Sequence, residues 1–159
     1  MTIRGTRLSF MNAHLAAHEG PTNYANRNRS LHQILAGART DSFYNMHDAS
    51  ILSHHMFICG DLNYRINFDI SDNRKTVVYG EGESPSYGNT ASNGQHFSKA
   101  KKFIDAEDWK SLAASDELAM ALRRKECLVG FATLPCNFPP TFKVKRGDGY
   151  QYSQARTPR

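Results

Sequence analysis

The order of segments in this chain predicts an α/β protein. Three observations carry that reading. Arg7 to Asn12 alternates in the manner of a strand, with Leu8 and Phe10 on one face. A helical stretch follows to about Ala36, with Leu31, Ile34 and Leu35 as its apolar stripe. His55 to Cys59 then forms a short run of strand character that stops at Gly60.

The segments are justified in chain order. Glu19-Gly20-Pro21 breaks the first strand from the helix, and Thr22 or Asn23 is suited to cap it. Asn26, Arg27, Asn28 and Arg29 are expected on its exposed part, and Gly37 is a natural stop. Residues 40–53 are polar and loop-like. His55 to Cys59 is expected to be a central, buried strand. Residues 70–97 form a long loop, punctuated by Gly80, Gly82, Pro85, Gly88 and Gly94. Ser98 to Ile104 and Asp105 to Ala113 read as short helical pieces, with Trp109 as a core anchor. Ser115 is a suitable cap for a last helix through about Glu126, with Leu118, Ala119 and Leu122 inward. Arg123, Arg124 and Lys125 close that helix as a solvated face that favours the dipole. Thr141 to Lys145 and Tyr150 to Ser153 pattern as a hairpin across Gly147-Asp148-Gly149.

Composition narrows the setting. The chain has 159 residues, the length of one domain. A net charge of +5 suits an anionic partner such as an anionic lipid head group or nucleic acid, and is also common in proteins that bind neither. The three widely spaced cysteines make no disulfide framework, and Cys59 is expected to be a small buried apolar residue. A reducing, cytoplasmic compartment fits that usage. No run approaches the ~18 apolar residues of a membrane span, and the N-terminus lacks the apolar core of a signal peptide. Membrane contact is therefore expected to be peripheral.

The chemistry concentrates where the second strand ends. Asp61, Asn63 and Arg65 are two residues apart, so on extended backbone they point the same way. Gly60 allows a turn or a close backbone approach there. A carboxylate can activate a water, an amide can donate to a phosphoryl oxygen, and a guanidinium can neutralise phosphate charge. Together these are the equipment of a phosphoester hydrolase. The plainer alternatives are a capped turn at Asp61, an Asx turn at Asn63 and an internal pairing that holds the loop at Arg65. His14 also lies at a strand end, where an imidazole can donate a proton or a hydrogen bond. His18 stands four residues on, but no third metal ligand is evident, so the better reading of His18 is support for the loop. His54 and His55 read as surface or strand-edge residues.

Several blocks carry a resemblance. Gly60-Asp61-Leu62-Asn63-Tyr64-Arg65-Ile66 resembles the first signature of the inositol polyphosphate 5-phosphatases, of the endonuclease/exonuclease/phosphatase superfamily. Phe10 to His18 is similar to that family's strand ending in His-Leu-Ala-Ala-His. Phe138 to Lys143 is similar to its Pro-Thr-Tyr-Lys segment, with Phe142 in place of the Tyr. Arg156-Thr157-Pro158 matches the opening of the second signature, which Arg159 then leaves. The blocks occur in the family's order and cover nearly the whole chain.

The resemblance implies a portion of a DNase-like α/β sandwich, with central mixed sheets flanked by helices. It implies a middle portion of the domain over 1–159, with a loop insertion at 70–97. The family's metal-binding Glu, its Cys-Asp-Arg segment and its Asp-His pair would lie outside this chain. It implies removal of the 5-phosphate from phosphoinositides or soluble inositol polyphosphates by metal-assisted water attack, with Mg2+ as the ion. His14, Asp61 and Asn63 take the catalytic positions; Asn12, Arg65, Lys143 and Arg156 take substrate-binding ones. Asp61 and Asn63 alone would make a poor magnesium site, so the isolated chain is expected to be inactive or nearly so. A nuclease of the same superfamily and a non-catalytic lipid- or protein-binding remnant are the alternatives.

Overall fold

A computed structural model describes residues 1–38, 49–68, 90–147, 151–153 and 157–158, and the side chains of 90–95 are not among them. The chain forms two compact units, Met1–Tyr64 with Lys125–Gly130, and Arg65–Arg124 with Phe131–Arg159.

The first unit is built on a mixed three-stranded sheet in the order β1-β2-β3. β1 (Thr2–Ile3) pairs antiparallel with β2 (Thr6–Asn12), and β2 pairs parallel with β3 (His55–Cys59). The register runs from Leu8 opposite His55 to Asn12 opposite Cys59. The start of β3 is tied to β2 by His54, whose Nδ1 accepts from the Arg7 N–H at 2.8 Å and whose own N–H donates to the Arg7 carbonyl at 3.0 Å. Parallel strands need a crossover connection. Here it contains α1 (Pro21–Gly37) and a short 3-10 turn at Ala49–Ile51.

Both strands fall where the sequence places them, but β3 is not buried. Phe10 and Phe57 sit opposite each other in the register and stack at 5.1 Å, yet remain 62% and 50% exposed. Side chains alternate across a sheet, so Cys59 shares the open face with Phe57 and is exposed, not the buried apolar residue expected. Met56 and Ile58 point to the other face and are more covered.

α1 starts earlier than the sequence suggests. Gly20, at φ 99°, precedes Pro21 in the first turn, and no side chain caps the end. Proline suits that position because its missing N–H would be unpaired there anyway. Asn23 donates its side-chain amide back to the Glu19 carbonyl at 2.9 Å instead of capping. The larger correction concerns the helix face. Arg27 and Asn28 are buried with Leu31 and Leu35, not exposed. Residues four apart share a helix face, and 27, 31 and 35 form such a row.

The second unit contains α2 (Thr90–Asp105), α3 (Trp109–Ala114) and α4 (Glu117–Arg123). The end of the expected long loop is therefore helical from Thr90; its residues 70–89 lie outside the described residues. Asp108 caps α3 by accepting from the Ser111 N–H at 3.0 Å. Asp116, not Ser115, caps α4 by accepting from the Ala119 N–H at 2.7 Å, while Ser115 closes α3. The inward face of α4 is Glu117, Met120 and Ala121, one step away from the expected stripe. The Glu117 carboxylate draws that face inward. It accepts from the Arg65 N–H at 3.0 Å and from the Asn67 amide at 3.4 Å. Trp109 opens α3 and is only half-buried, so it does not anchor a core. Of the expected hairpin, Val144 and Tyr152 form a single antiparallel bridge, flanked by bonds from Lys145 N–H to the Gln151 carbonyl (2.7 Å) and from Ser153 N–H to the Lys143 carbonyl (2.8 Å). No helix of the described residues is long and apolar enough to cross a membrane.

Burial pushes the Asp116 carboxyl above the ordinary carboxylate value, against the opposing pull of the Ala119 and Leu118 N–H groups. A raised folded value means that the native chain binds the proton more tightly than the unfolded one. The contribution of Asp116 to stability is thus most favourable at low pH and is lost as pH rises through the carboxylate range. Asn keeps a cap acceptor without a charge. Asp116→Asn is expected to equal or exceed the parent in urea midpoint at pH 7, with that advantage vanishing near pH 3; unfolding curves at both pH values check it.

Candidate active site

The site grows out of the β2–β3 pairing. Hydrogen bonding between the two strands continues past their ends, with the Ala13 N–H on the Cys59 carbonyl and the Leu15 N–H on the Asp61 carbonyl, both at 3.0 Å. Extended backbone alternates its side chains. Ala13 and Leu15 are buried, and His14 between them faces out. On the neighbouring segment Asp61 also faces out. The His14 Nε2 and Asp61 Oδ2 atoms lie 4.0 Å apart, with side chains 77% and 59% exposed.

Gly60 makes this approach possible. Its φ is 118°, and a Cβ there would collide with the Ala13 carbonyl oxygen and with the Asn12 Oδ1. Asn12 is thereby placed directly against the turn that carries Asp61.

Asp61 uses its two oxygens differently. Oδ1 accepts from the Asn63 N–H at 3.1 Å, closing the turn, while Oδ2 is the atom that faces His14. Asn63 has φ 57°, a left-handed conformation that Asn tolerates better than most residues. It is buried, and its side-chain amide donates to the Leu15 carbonyl at 3.0 Å. Asn63 thus ties the two strand-end loops to each other.

Beneath the loops lies a polar cluster. The Tyr64 hydroxyl donates to the Asn28 Oδ1 at 2.5 Å and lies 3.5 Å from the Cys127 sulfur. Glu126 accepts from the Tyr24 hydroxyl, and from the Asn28 amide at 3.4 Å. The Arg27 guanidinium bonds the carbonyls of Ala16 and His18 and covers the Tyr64 ring. Burial pushes the Tyr64 hydroxyl well above its ordinary value and raises the Cys127 thiol above its own. Sequence reasoning marks none of Arg27, Asn28, Glu126 or Cys127 as part of the site. The signal is present for the first two, since both share a helix face with Leu31 and Leu35. Glu126 and Cys127 come from a distant segment and carry no local signal.

Of the sequence candidates, His14, Asp61, Asn63 and Asn12 come together in the first unit. Arg65 is buried in the second unit, its N–H on Glu117, a position that fits the loop-holding alternative. Lys143 is exposed in the second unit. Arg156 lies outside the described residues. Among the described residues no group of three His, Cys, Asp or Glu side chains could hold a metal ion. Asp61 and Asn63 by themselves supply too few oxygen ligands to hold a divalent cation.

The sequence pattern of Endonuclease/Exonuclease/phosphatase family 2 matches residues 1–159. The chain belongs to that family. Among its relatives, the chain is 26% identical over 151 residues to phosphatidylinositol 3,4,5-trisphosphate 5-phosphatase 2B of Danio rerio, matching 92% of this chain and 10% of that protein. It is 26% identical over 161 residues to type I inositol polyphosphate 5-phosphatase 2 of Arabidopsis thaliana, matching 99% of this chain and 21% of that one. A solved structure, the inositol polyphosphate 5-phosphatase domain of SPsynaptojanin with inositol (1,4)-bisphosphate and a calcium ion, superposes with a TM-score of 0.66 at 25% identity. That match takes in 97% of this chain and 37% of the solved one. The fold is thus that of part of the DNase-like α/β domain, as the sequence blocks imply. The chain spans well under two thirds of the length of these family members.

Two outcomes follow from the geometry. Gly60→Ala is expected to destabilise the chain by roughly 2 kcal/mol or more, since the added methyl meets backbone and a positive φ; thermal unfolding reads the loss. Tyr64 is held protonated by burial, so its contribution to stability is lost as pH rises above about 10, where the unfolded side chain ionises. Tyr64→Phe is expected to flatten that alkaline slope while costing about 1–3 kcal/mol at neutral pH, because Asn28 loses its donor. Denaturant unfolding at pH 7 and pH 11 tests both parts.

Proposed function

We propose that this chain is part of the catalytic domain of a 5-phosphatase acting on phosphoinositides or soluble inositol polyphosphates. The observation that carries the reading is the outward-facing pair of His14 and Asp61 at 4.0 Å, held on adjoining strand ends by a turn that only glycine permits. The family membership and the named relatives support it. Phosphate ester hydrolysis has a very high uncatalysed barrier, so positioned charges and a positioned base must supply the rate.

In this reading Asp61 Oδ2 orients a water and takes its proton. His14 donates a hydrogen bond or proton to the phosphoryl group or the leaving oxygen. Asn63 keeps both loops in register and so fixes the reach of each. Asn12 borders the turn where the scissile phosphate would lie. Lys143 and Arg156 are assigned to other phosphates of the ring. Arg65, buried with its N–H on Glu117, is assigned to holding the loop that follows the turn. The expected ion is magnesium. The described residues do not form its coordination shell, and each of these roles belongs to one of the chain's own groups. A cytoplasmic protein that meets lipid at the membrane surface suits the net charge of +5.

The test replaces the matched segment of the synaptojanin domain with residues 1–159. The chimera is supplied with magnesium and a substrate phosphorylated at the 5-position. Release of the 5-phosphate is expected, falling about 10²–10⁴-fold with Asp61→Asn. The 159 residues alone are expected to stay near the uncatalysed background. A folded chimera without release overturns the function, and one indifferent to Asp61→Asn overturns the role of that carboxylate.

A further inference from the structure

We infer that Arg27 is a further positioning residue which, beside Gly60 and Asn63, helps to set the separation of His14 and Asp61. The His14 side chain is largely exposed and gains little packing of its own, so its position is inherited from its backbone. On either side of His14 that backbone is held by the bonds from the Ala13 N–H to the Cys59 carbonyl and from the Leu15 N–H to the Asp61 carbonyl. Downstream, the chain turns through His18 at φ 74° and directs two carbonyls inward. Inward carbonyls need donors. Arg27 supplies them through Nη1, at 3.2 Å to the Ala16 oxygen and 2.9 Å to the His18 oxygen.

The same guanidinium reaches the other loop. Its central carbon lies 5.3 Å from the centroid of the Tyr64 ring, three residues past Asp61. One planar cation, 0% exposed, therefore touches both the segment that leaves His14 and the segment that leaves Asp61. Tyr64 cannot follow a shift of Arg27 freely, because its hydroxyl is fixed on Asn28. A lysine could keep the charge, but it has neither the fork nor the flat face that stacks on an aromatic ring. Arg27 lies beneath the loops and touches neither exposed group, so it acts through them.

The geometric part of this inference stands without the proposed activity; its effect on turnover rests on that reading. Two readouts separate them. In the free chain, the ring cross-peak of His14 in 1H–13C NMR is expected to move when Asp61→Asn is introduced. In an Arg27→Lys background that response is expected to disappear, while far-UV circular dichroism shows a folded chain. Tyr64→Leu, which leaves Arg27 but removes its platform, is expected to weaken the response as well, and decides the matter if Arg27→Lys does not fold. In the chimera, Arg27→Lys is expected to lower kcat about 10²-fold with KM nearly unchanged, the signature of misplaced groups and not of lost substrate contacts. A His14 response that survives intact in the folded variants overturns the inference, as does a wild-type His14 that ignores Asp61→Asn. Loss of the response in a chain whose wild-type chimera releases no phosphate leaves Arg27 as a positioning residue and removes the 5-phosphatase reading.

Discussion

The first unit and its site depend on parallel pairing that does not stop where the strands stop. β2 and β3 remain hydrogen-bonded through Ala13, Leu15, Cys59 and Asp61, so two loops leave the sheet side by side. Parallel ladders have evenly spaced bonds and no tight turn to set their register. Here the register is fixed at the exit by an absent side chain. Any Cβ at position 60 would strike the Ala13 carbonyl, and the loops would part. The exposed acid and imidazole face each other because of that contact.

Holding such loops requires polar groups inside the protein, and polar groups inside are costly unless paired. The first unit meets this with a connected set: Arg27 on two carbonyls, Tyr64 on Asn28, and Asn28 and Tyr24 on Glu126. The second unit repeats the device on a smaller scale. The buried Glu117 accepts from the Arg65 N–H and the Asn67 amide, while the Arg65 carbonyl accepts from the Glu117 N–H at 2.9 Å. In each unit a buried charge orders a loop that carries no regular secondary structure of its own. Such groups fix one arrangement of the backbone, because their alternatives leave carbonyls or carboxylates unsatisfied.

Much of this is legible in the chain. The alternation of Leu8 and Phe10 and the apolar run ending at Gly60 locate both long strands, and Leu31 and Leu35 locate α1. The order of the Asp61, His14 and Lys143 blocks points to the family that the comparison then establishes. The misreadings share a cause. Polarity alone assigns Arg27 and Asn28 to solvent, although their spacing to Leu31 and Leu35 argues for the interior. Apolarity alone assigns Cys59 to the interior, although its alternation with Phe57 places it on whichever face stays open. Ser115 and Asp116 are both good caps, and only the bond to the Ala119 N–H distinguishes them.

Sequence alone determines which residues are chemically able to act, and the local periodicity that puts them at strand ends, because both are properties of a residue and its near neighbours. Tertiary structure decides which of them meet. The 4.0 Å between His14 and Asp61, the engagement of Asn63 with Leu15 and the burial of Arg27 under Tyr64 each join residues distant along the chain. Their separation in space depends on how far apart two backbones come to rest. That is settled by packing and hydrogen bonding across the fold, on which local pattern is silent.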